Sequence, residues 1–132
     1  MIVDTSVWVE YLRGTGSTAH ETLRRAIERD ADLVVPELVS MELTMGVTEE
    51  VAASVQSLLS TFEVASLAPL VDSVEAAGLY RECRRAGETI RSPIDCLIAA
   101  TALRLDLPVL HRDRDFEVLR RHTGLTTVST LD

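Results

Sequence analysis

The chain contains no lysine; all 13 of its cations are arginine. That absence excludes chemistry built on a lysine, whether as Schiff base, P-loop cation or phosphate clamp. Aromatic residues make up only 4% of the 132 residues, so a core must be mostly aliphatic. Cysteine is scarce: Cys83 and Cys96 stand 13 apart in segments that read as helices. This is neither a CxxC nor a zinc spacing, and it reads as two reduced thiols of a cytosolic protein. No stretch approaches the roughly 18 uncharged apolar residues of a spanning helix. The start, Met1-Ile2-Val3-Asp4, meets a carboxylate without a basic region before it, and so does not read as a signal peptide.

What is present points to a folded domain. A hydrophobic fraction of 46% excludes a disordered chain. The length suits one domain over residues 1–132, with no linker, repeat or low-complexity segment. The net charge of -8 argues against a broad basic face for nucleic acid. The imbalance is uneven, with 4 arginines against 11 acids in residues 1–66 and 9 against 10 in residues 67–132. Any basic help in binding phosphate therefore comes from the second half.

Short apolar runs alternate with helical patterns. Ile2-Val3 reads as a strand ending at Asp4, and Thr5 and Ser6 as caps of a helix that Gly14 and Gly16 terminate. A second helix runs from Ser17 or Thr18 to Arg29. Leu33–Val35 reads as a buried strand, with Pro36 as the first residue of a helix to Met45. Further helices are expected over Glu49–Thr61, Pro69–Arg85, Pro93–Leu105 and from near Phe116 to Arg121, and strands over Glu63–Leu67, Leu107–Leu110 and Thr126–Val128. Such alternation means an α/β domain with a short, mostly parallel sheet, whose active site would lie beyond the carboxyl ends of the strands.

Five acids stand out. Asp4 follows a strand, where it reads either as a helix cap or as a ligand. Glu42 sits among Leu38, Val39, Met41, Leu43 and Met45, costly company for a carboxylate unless it is paired, metal-bound or on a solvent stripe. Ser92-Pro93-Ile94-Asp95 matches a capping box, which explains Asp95 without function and does not exclude function. Asp113 and Asp115 alternate with Arg112 and Arg114 and read equally as an exposed charged turn. No rival catalytic set exists. His20, His111 and His122 form no metal spacing, there is no GxSxG elbow or GxxxxGK[ST] loop, and Asp4-Thr5-Ser6-Val7 lacks a second Asp. Oxygen ligands without His or Cys select a hard ion, Mg2+ or Mn2+. Pooled carboxylates need such cations to stay ionised, and two ions about 3.5–4 Å apart would clamp a phosphodiester.

Asp4-Thr5-Ser6 after the first strand, Met41-Glu42-Leu43, the run Asp95-Cys96-Leu97-Ile98-Ala99-Ala100-Thr101-Ala102, and Asp113-Arg114-Asp115-Phe116 together resemble a PIN domain. More narrowly they resemble the VapC toxins of bacterial type II toxin–antitoxin pairs, over essentially the whole chain. The resemblance implies a three-layer αβα fold, Mg2+- or Mn2+-dependent endoribonuclease activity in the bacterial cytoplasm, homodimerisation, and neutralisation by a cognate VapB antitoxin. It puts the family acids on Asp4, Glu42, Asp95 and Asp113, with Asp115 contributing, and the hydroxyl beside the first acid on Thr5 or Ser6. Arg112 and Arg114, and further Arg81, Arg85 and Arg91, are candidates for positioning phosphate. Trp8, Tyr11 and Leu12 are candidates for an antitoxin groove, with core packing the competing role for Trp8. Two rival functions remain at this point: a DNA or flap nuclease, and a catalytically idle protein whose acids grip a basic partner.

Overall fold

The computed structural model describes all residues 1–132. Its frame is a sheet of five very short parallel strands, β1 (Ile2–Val3), β2 (Val34–Pro36), β3 (Glu63–Ala65), β4 (Val109–His111) and β5 (Thr127–Ser129), in the order β3-β2-β1-β4-β5. Helices α1 (Thr5–Arg13), α2 (Thr18–Glu28), α3 (Glu37–Met45) and α4 (Glu49–Leu59) carry the crossovers from β1 to β3, and pack on one another. Helices α5 (Pro69–Arg85), α6 (Pro93–Leu105) and α7 (Arg114–His122) carry the return to β4 and β5, and form a second packed group. Right-handed crossovers in opposite directions along the sheet put these groups on opposite faces, which gives the expected three layers. The inner strands β1, β2 and β4 are buried on both faces, so they read as apolar runs instead of alternating, whereas the edge strands β3 and β5 are partly exposed.

The chain reverses direction across the sheet between β1 and β4, paired in register Ile2↔Val109 and Val3↔Leu110. At such a switch point the two neighbouring connections diverge and leave a crevice beyond the strand ends. Asp4 immediately follows β1, and Asp113 follows β4 by two residues. The topology alone therefore brings the first and fourth candidate acids to one crevice.

Several element ends differ from expectation. Asp4, not Thr5 or Ser6, is the N-cap of α1; its carboxylate accepts from the Ser6 N–H at 3.0 Å. Pro36 is not the first helical residue but closes β2 opposite Ala65, with φ -64° and ψ 146°. The fixed φ of proline suits both states, and ψ places it in the strand. Helix α4 stops at Leu59, not Thr61, because the Ser60 and Thr61 hydroxyls turn back onto the carbonyls of Ser57 and Leu58. Strand β3 ends at Ala65, where its pairing with Pro36 ends, and β4 and β5 each lie about one residue later than expected. Trp8 is fully buried, edge-on to Tyr11 and Phe62, so it belongs to the core.

A buried ion pair fastens the second helical group. Asp72 on α5 is 1% exposed and accepts from Arg104 Nε at 2.9 Å and Nη2 at 3.0 Å, and from the Thr101 hydroxyl at 3.0 Å. These bonds hold its carboxyl below the usual range. Removing the arginine strands a buried carboxylate, a loss of about 3–5 kcal/mol for a fully buried pair. Arg104 keeps about a third of its side chain in water. Arg104→Ala is therefore expected to destabilise by about 2–3 kcal/mol, measured by urea unfolding.

Candidate active site

The acids converge at the carboxyl edge of the sheet. Asp95, in the first turn of α6, and Asp113 and Asp115, at the start of α7, each present a carboxylate oxygen, and these oxygens lie within 4.8 Å of one another. Asp4 adjoins them closely enough for its charge to act on Asp95, and Glu42 and Asp113 act in turn on Asp4. Asp4, Asp95 and Asp115 are buried, whereas Glu42 and Asp113 are half-buried.

The sequence builds this cluster with its own hydroxyls and amides. The Ser6 hydroxyl donates to Asp4 Oδ2 at 2.5 Å and accepts from the Arg112 N–H at 2.9 Å, tying the start of α1 to the loop after β4. The Thr5 hydroxyl donates to Glu42 Oε1 at 2.8 Å. Both hydroxyls thus hold acids in place. Asp115 Oδ2 accepts from the backbone N–H groups of Arg91 and Ser92 at 3.1 and 3.2 Å, which pins the approach to α6. Asp113 Oδ1 caps α7 through the Asp115 N–H at 2.9 Å. Asp113 and Asp115 are therefore neither equivalent nor an exposed turn: one is a cap open to the crevice, the other a buried clamp.

Asp95 is the anomaly. Ser92 is the N-cap of α6 but its side chain makes no capping bond, so the capping box is not formed. The proline at the first helical position supplies the rigid start instead. Asp95 Oδ2 is buried without any hydrogen-bond partner. Burial first, then repulsion from Asp4 and Asp113 and a contact with Asp115, push its carboxyl up to about 9. Burial also raises Asp4 to about 6 against the two Ser6 bonds that favour its charge. Crowding carboxylates in this way is unfavourable unless a cation neutralises them. The donor set is all oxygen, which fits a hard divalent ion.

The arginines divide. Arg91 leans over the cluster, its Nε 3.6 Å from Asp115 and its Nη2 3.9 Å from Asp113. With the exposed Arg114 it borders an open cavity of about 230 Å3 that also touches Glu88, Thr89 and Asp115. Arg112 does not join them, since its guanidinium meets Glu10 at 2.6 Å and Asp132 at 3.8 Å. Arg81 and Arg85 stand exposed on α5. Sequence reasoning passed over His111, which ends β4 fully buried beside the cluster. A histidine closing the apolar run Val109-Leu110 was the available signal, because a buried ring must find polar partners.

The PIN domain family model matches residues 1–122. The chain is 40% identical over 131 residues to the VapC ribonuclease Mb1587 of Mycobacterium bovis, covering 98% of both chains. The same identity and coverage hold against the ribonuclease VapC11 of Mycobacterium tuberculosis. The fold matches that of the DNA-bound VapBC from Salmonella typhimurium with a TM-score of 0.73, at 22% identity over 97% of this chain and 96% of that one. The chain belongs to the PIN domain family and, within it, to the VapC ribonucleases.

Proposed function

We propose that the chain is the toxin of a toxin–antitoxin pair, an endoribonuclease that hydrolyses RNA phosphodiester bonds with Mg2+ or Mn2+ held by Asp4, Glu42, Asp95 and Asp113. The observation that carries this reading is the buried, unpartnered oxygen of Asp95 among other carboxylates, an arrangement that is unfavourable without a cation. Relatives named ribonucleases at 40% identity supply the substrate class.

When bound, a divalent ion supplies acidification of a water molecule and neutralisation of charge at the phosphoryl oxygens. The chain's own residues do the rest. Ser6 and Thr5 fix the directions of Asp4 and Glu42, and Asp115 fixes the segment from which Asp95 projects. Arg91 and Arg114, beside the cluster, are placed to receive the phosphate backbone of the substrate. The net charge of -8 argues against a broad basic face, so such attraction is local.

A groove of about 270 Å3 between α1, α3 and α4 is lined by Val9, Leu12, Leu43, Val47, Val51 and Val55, with Glu42 and Arg13 as its charged lining residues. It suits an antitoxin segment with apolar side chains, followed by an arginine that forks onto the acids. Homodimerisation belongs to the same reading, supported by Leu70, Val71 and Val74 exposed together on α5.

The test is cleavage of a defined RNA and of DNA of equal sequence, with Mg2+ or Mn2+ and then with excess EDTA. RNA cleavage restored by either ion and abolished by chelation is expected, because no side chain here offers an alternative nucleophile. Undiminished cleavage in EDTA would sink the reading.

A further inference from the structure

His111 ends the inner strand β4, and the loop after it carries Asp113. Its ring has two polar neighbours and no exposure. On one side Nδ1 accepts a hydrogen bond from the backbone N–H of Asp113 at 3.2 Å. That N–H can only donate, so Nδ1 carries no proton and the ring hydrogen sits on Nε2. On the other side Nε2 lies 3.0 Å from Glu117 Oε1 and donates to it. Glu117 is itself held, since Oε1 accepts from the Thr127 hydroxyl at 3.3 Å and Oε2 from Arg120 Nε at 3.2 Å. Behind the ring, Thr130 donates its N–H and its hydroxyl to the His111 carbonyl at 2.9 and 2.8 Å. Phe116 packs against the ring at 5.3 Å between centroids.

The three-residue turn from His111 to Asp113 is thus fastened twice: Ser6 takes the Arg112 N–H, and His111 takes the Asp113 N–H. We propose that His111 is a positioning residue for the acid cluster: its imidazole, locked by Glu117 with the proton on Nε2, tethers the Asp113 backbone and so sets where that carboxylate stands relative to Asp95. This rests on the reading of the cluster as a metal site. The ring touches neither substrate nor ion; it acts through Asp113. Groups that orient metal ligands in this indirect way change affinity by about 10–100-fold when replaced.

Three variants separate the tether from simple packing. In His111→Asn the side-chain oxygen can accept from the N–H two residues on, the Asx-turn geometry, and so replaces Nδ1. His111→Gln keeps a donor for Glu117 and loses the acceptor for Asp113, whereas His111→Leu keeps bulk and loses both. Mn2+ affinity is measured by calorimetry and stability by urea unfolding. Mn2+ affinity within about 3-fold of wild type is expected for Asn, with a loss of about 10-fold or more for Gln and Leu. The order of stabilities should not reproduce this ranking. Equal losses in all three, or losses that follow stability alone, would overturn the proposal. A wild-type protein that binds no Mn2+ would refute the metal-site reading, and the tether is then read without metal. Ring nitrogen NMR should show Nε2 protonated, and the Asp113 amide should be protected from exchange in wild type and Asn and unprotected in Leu. An Nδ1-protonated ring or a rapidly exchanging Asp113 amide in wild type would overturn the tether itself.

Discussion

Replacing Asp95 with asparagine is expected to abolish cleavage and, in the metal-free protein, to raise the melting temperature. The two effects share one cause. Asp95 is buried with an unpartnered oxygen and is crowded by Asp4, Asp113 and Asp115, so the folded protein holds a proton there that the unfolded chain at neutral pH does not. Asparagine keeps the shape, removes the charge, and offers Asp115 a permanent N–H donor. Relief of the crowding should stabilise by about 1–3 kcal/mol, or roughly 4–10 °C. No cap is lost in exchange, because the capping bond expected at Ser92 is not made. Activity moves the other way. Loss of one ligand misplaces the reacting groups, and a displacement near 1 Å can cost on the order of 100-fold in rate. Asp4→Asn should lose activity to a similar extent with a smaller gain in stability, since two Ser6 bonds already support the Asp4 charge. Thermal melts and single-turnover cleavage of both variants check this. A destabilised Asp95→Asn that still cleaves at the wild-type rate would return Asp95 to the role of an ordinary helix-start acid.

The second large effect is the dependence of metal affinity on pH. Both shifted acids have folded pKa values above the ordinary carboxylate value, near 6 for Asp4 and near 9 for Asp95. Between about pH 4 and pH 9 these two acids therefore hold protons in the folded, metal-free protein that they do not hold in the unfolded chain, and what they contribute to stability falls as pH rises through that window. Metal ligation requires the ionised forms, so binding must expel those protons. Affinity for Mn2+ is then expected to rise about tenfold per pH unit from pH 6 to pH 8, and more steeply below pH 6, where Asp4 adds a second proton. Excess Mn2+ at pH 8 should cancel the loss of stability that rising pH causes in its absence. Calorimetric titrations at pH 6, 7 and 8, in buffers of different ionisation enthalpy, read both affinity and proton release. A Mn2+ affinity flat across that range would show that no protonated carboxylate stands in its way.

Much of this arrangement is legible from local pattern. Ile2-Val3-Asp4, the apolar helix around Glu42 and the helix opening at Pro93 can each be placed from a few neighbouring residues, because hydrophobic period and helix punctuation are short-range signals. Convergence follows from the alternation of strands and helices, which makes a parallel sheet and puts every strand end on one edge. What escapes is whatever depends on distant segments meeting. A hydroxyl three residues before an acid suggests a capping box, yet nothing in Ser92-Pro93-Ile94-Asp95 says where the serine side chain points. The clamp of Asp115 on Arg91 and Ser92 spans loops more than twenty residues apart, so the spacing Asp113-Arg114-Asp115 looks like a symmetrical pair when it is not. His111 looks unattached until Glu117 comes round by one turn of α7. The strand ends shifted for the same reason: β4 takes its limits from its partners β1 and β5, not from its own residues.

The pairing of β1 with β4 bears on how such a chain is made. Synthesis delivers Ile2, Val3 and Asp4 first, but their second sheet neighbour, Val109 and Leu110, emerges only after most of the chain has been translated. Contacts so far apart in sequence form late in folding. A growing chain therefore carries Asp4 and Glu42 for a time without Asp113 and Asp115, and cannot assemble the cluster until those two acids have emerged. Emergence of the segment that carries Asp113 and Asp115 sets the earliest moment at which the crevice can exist.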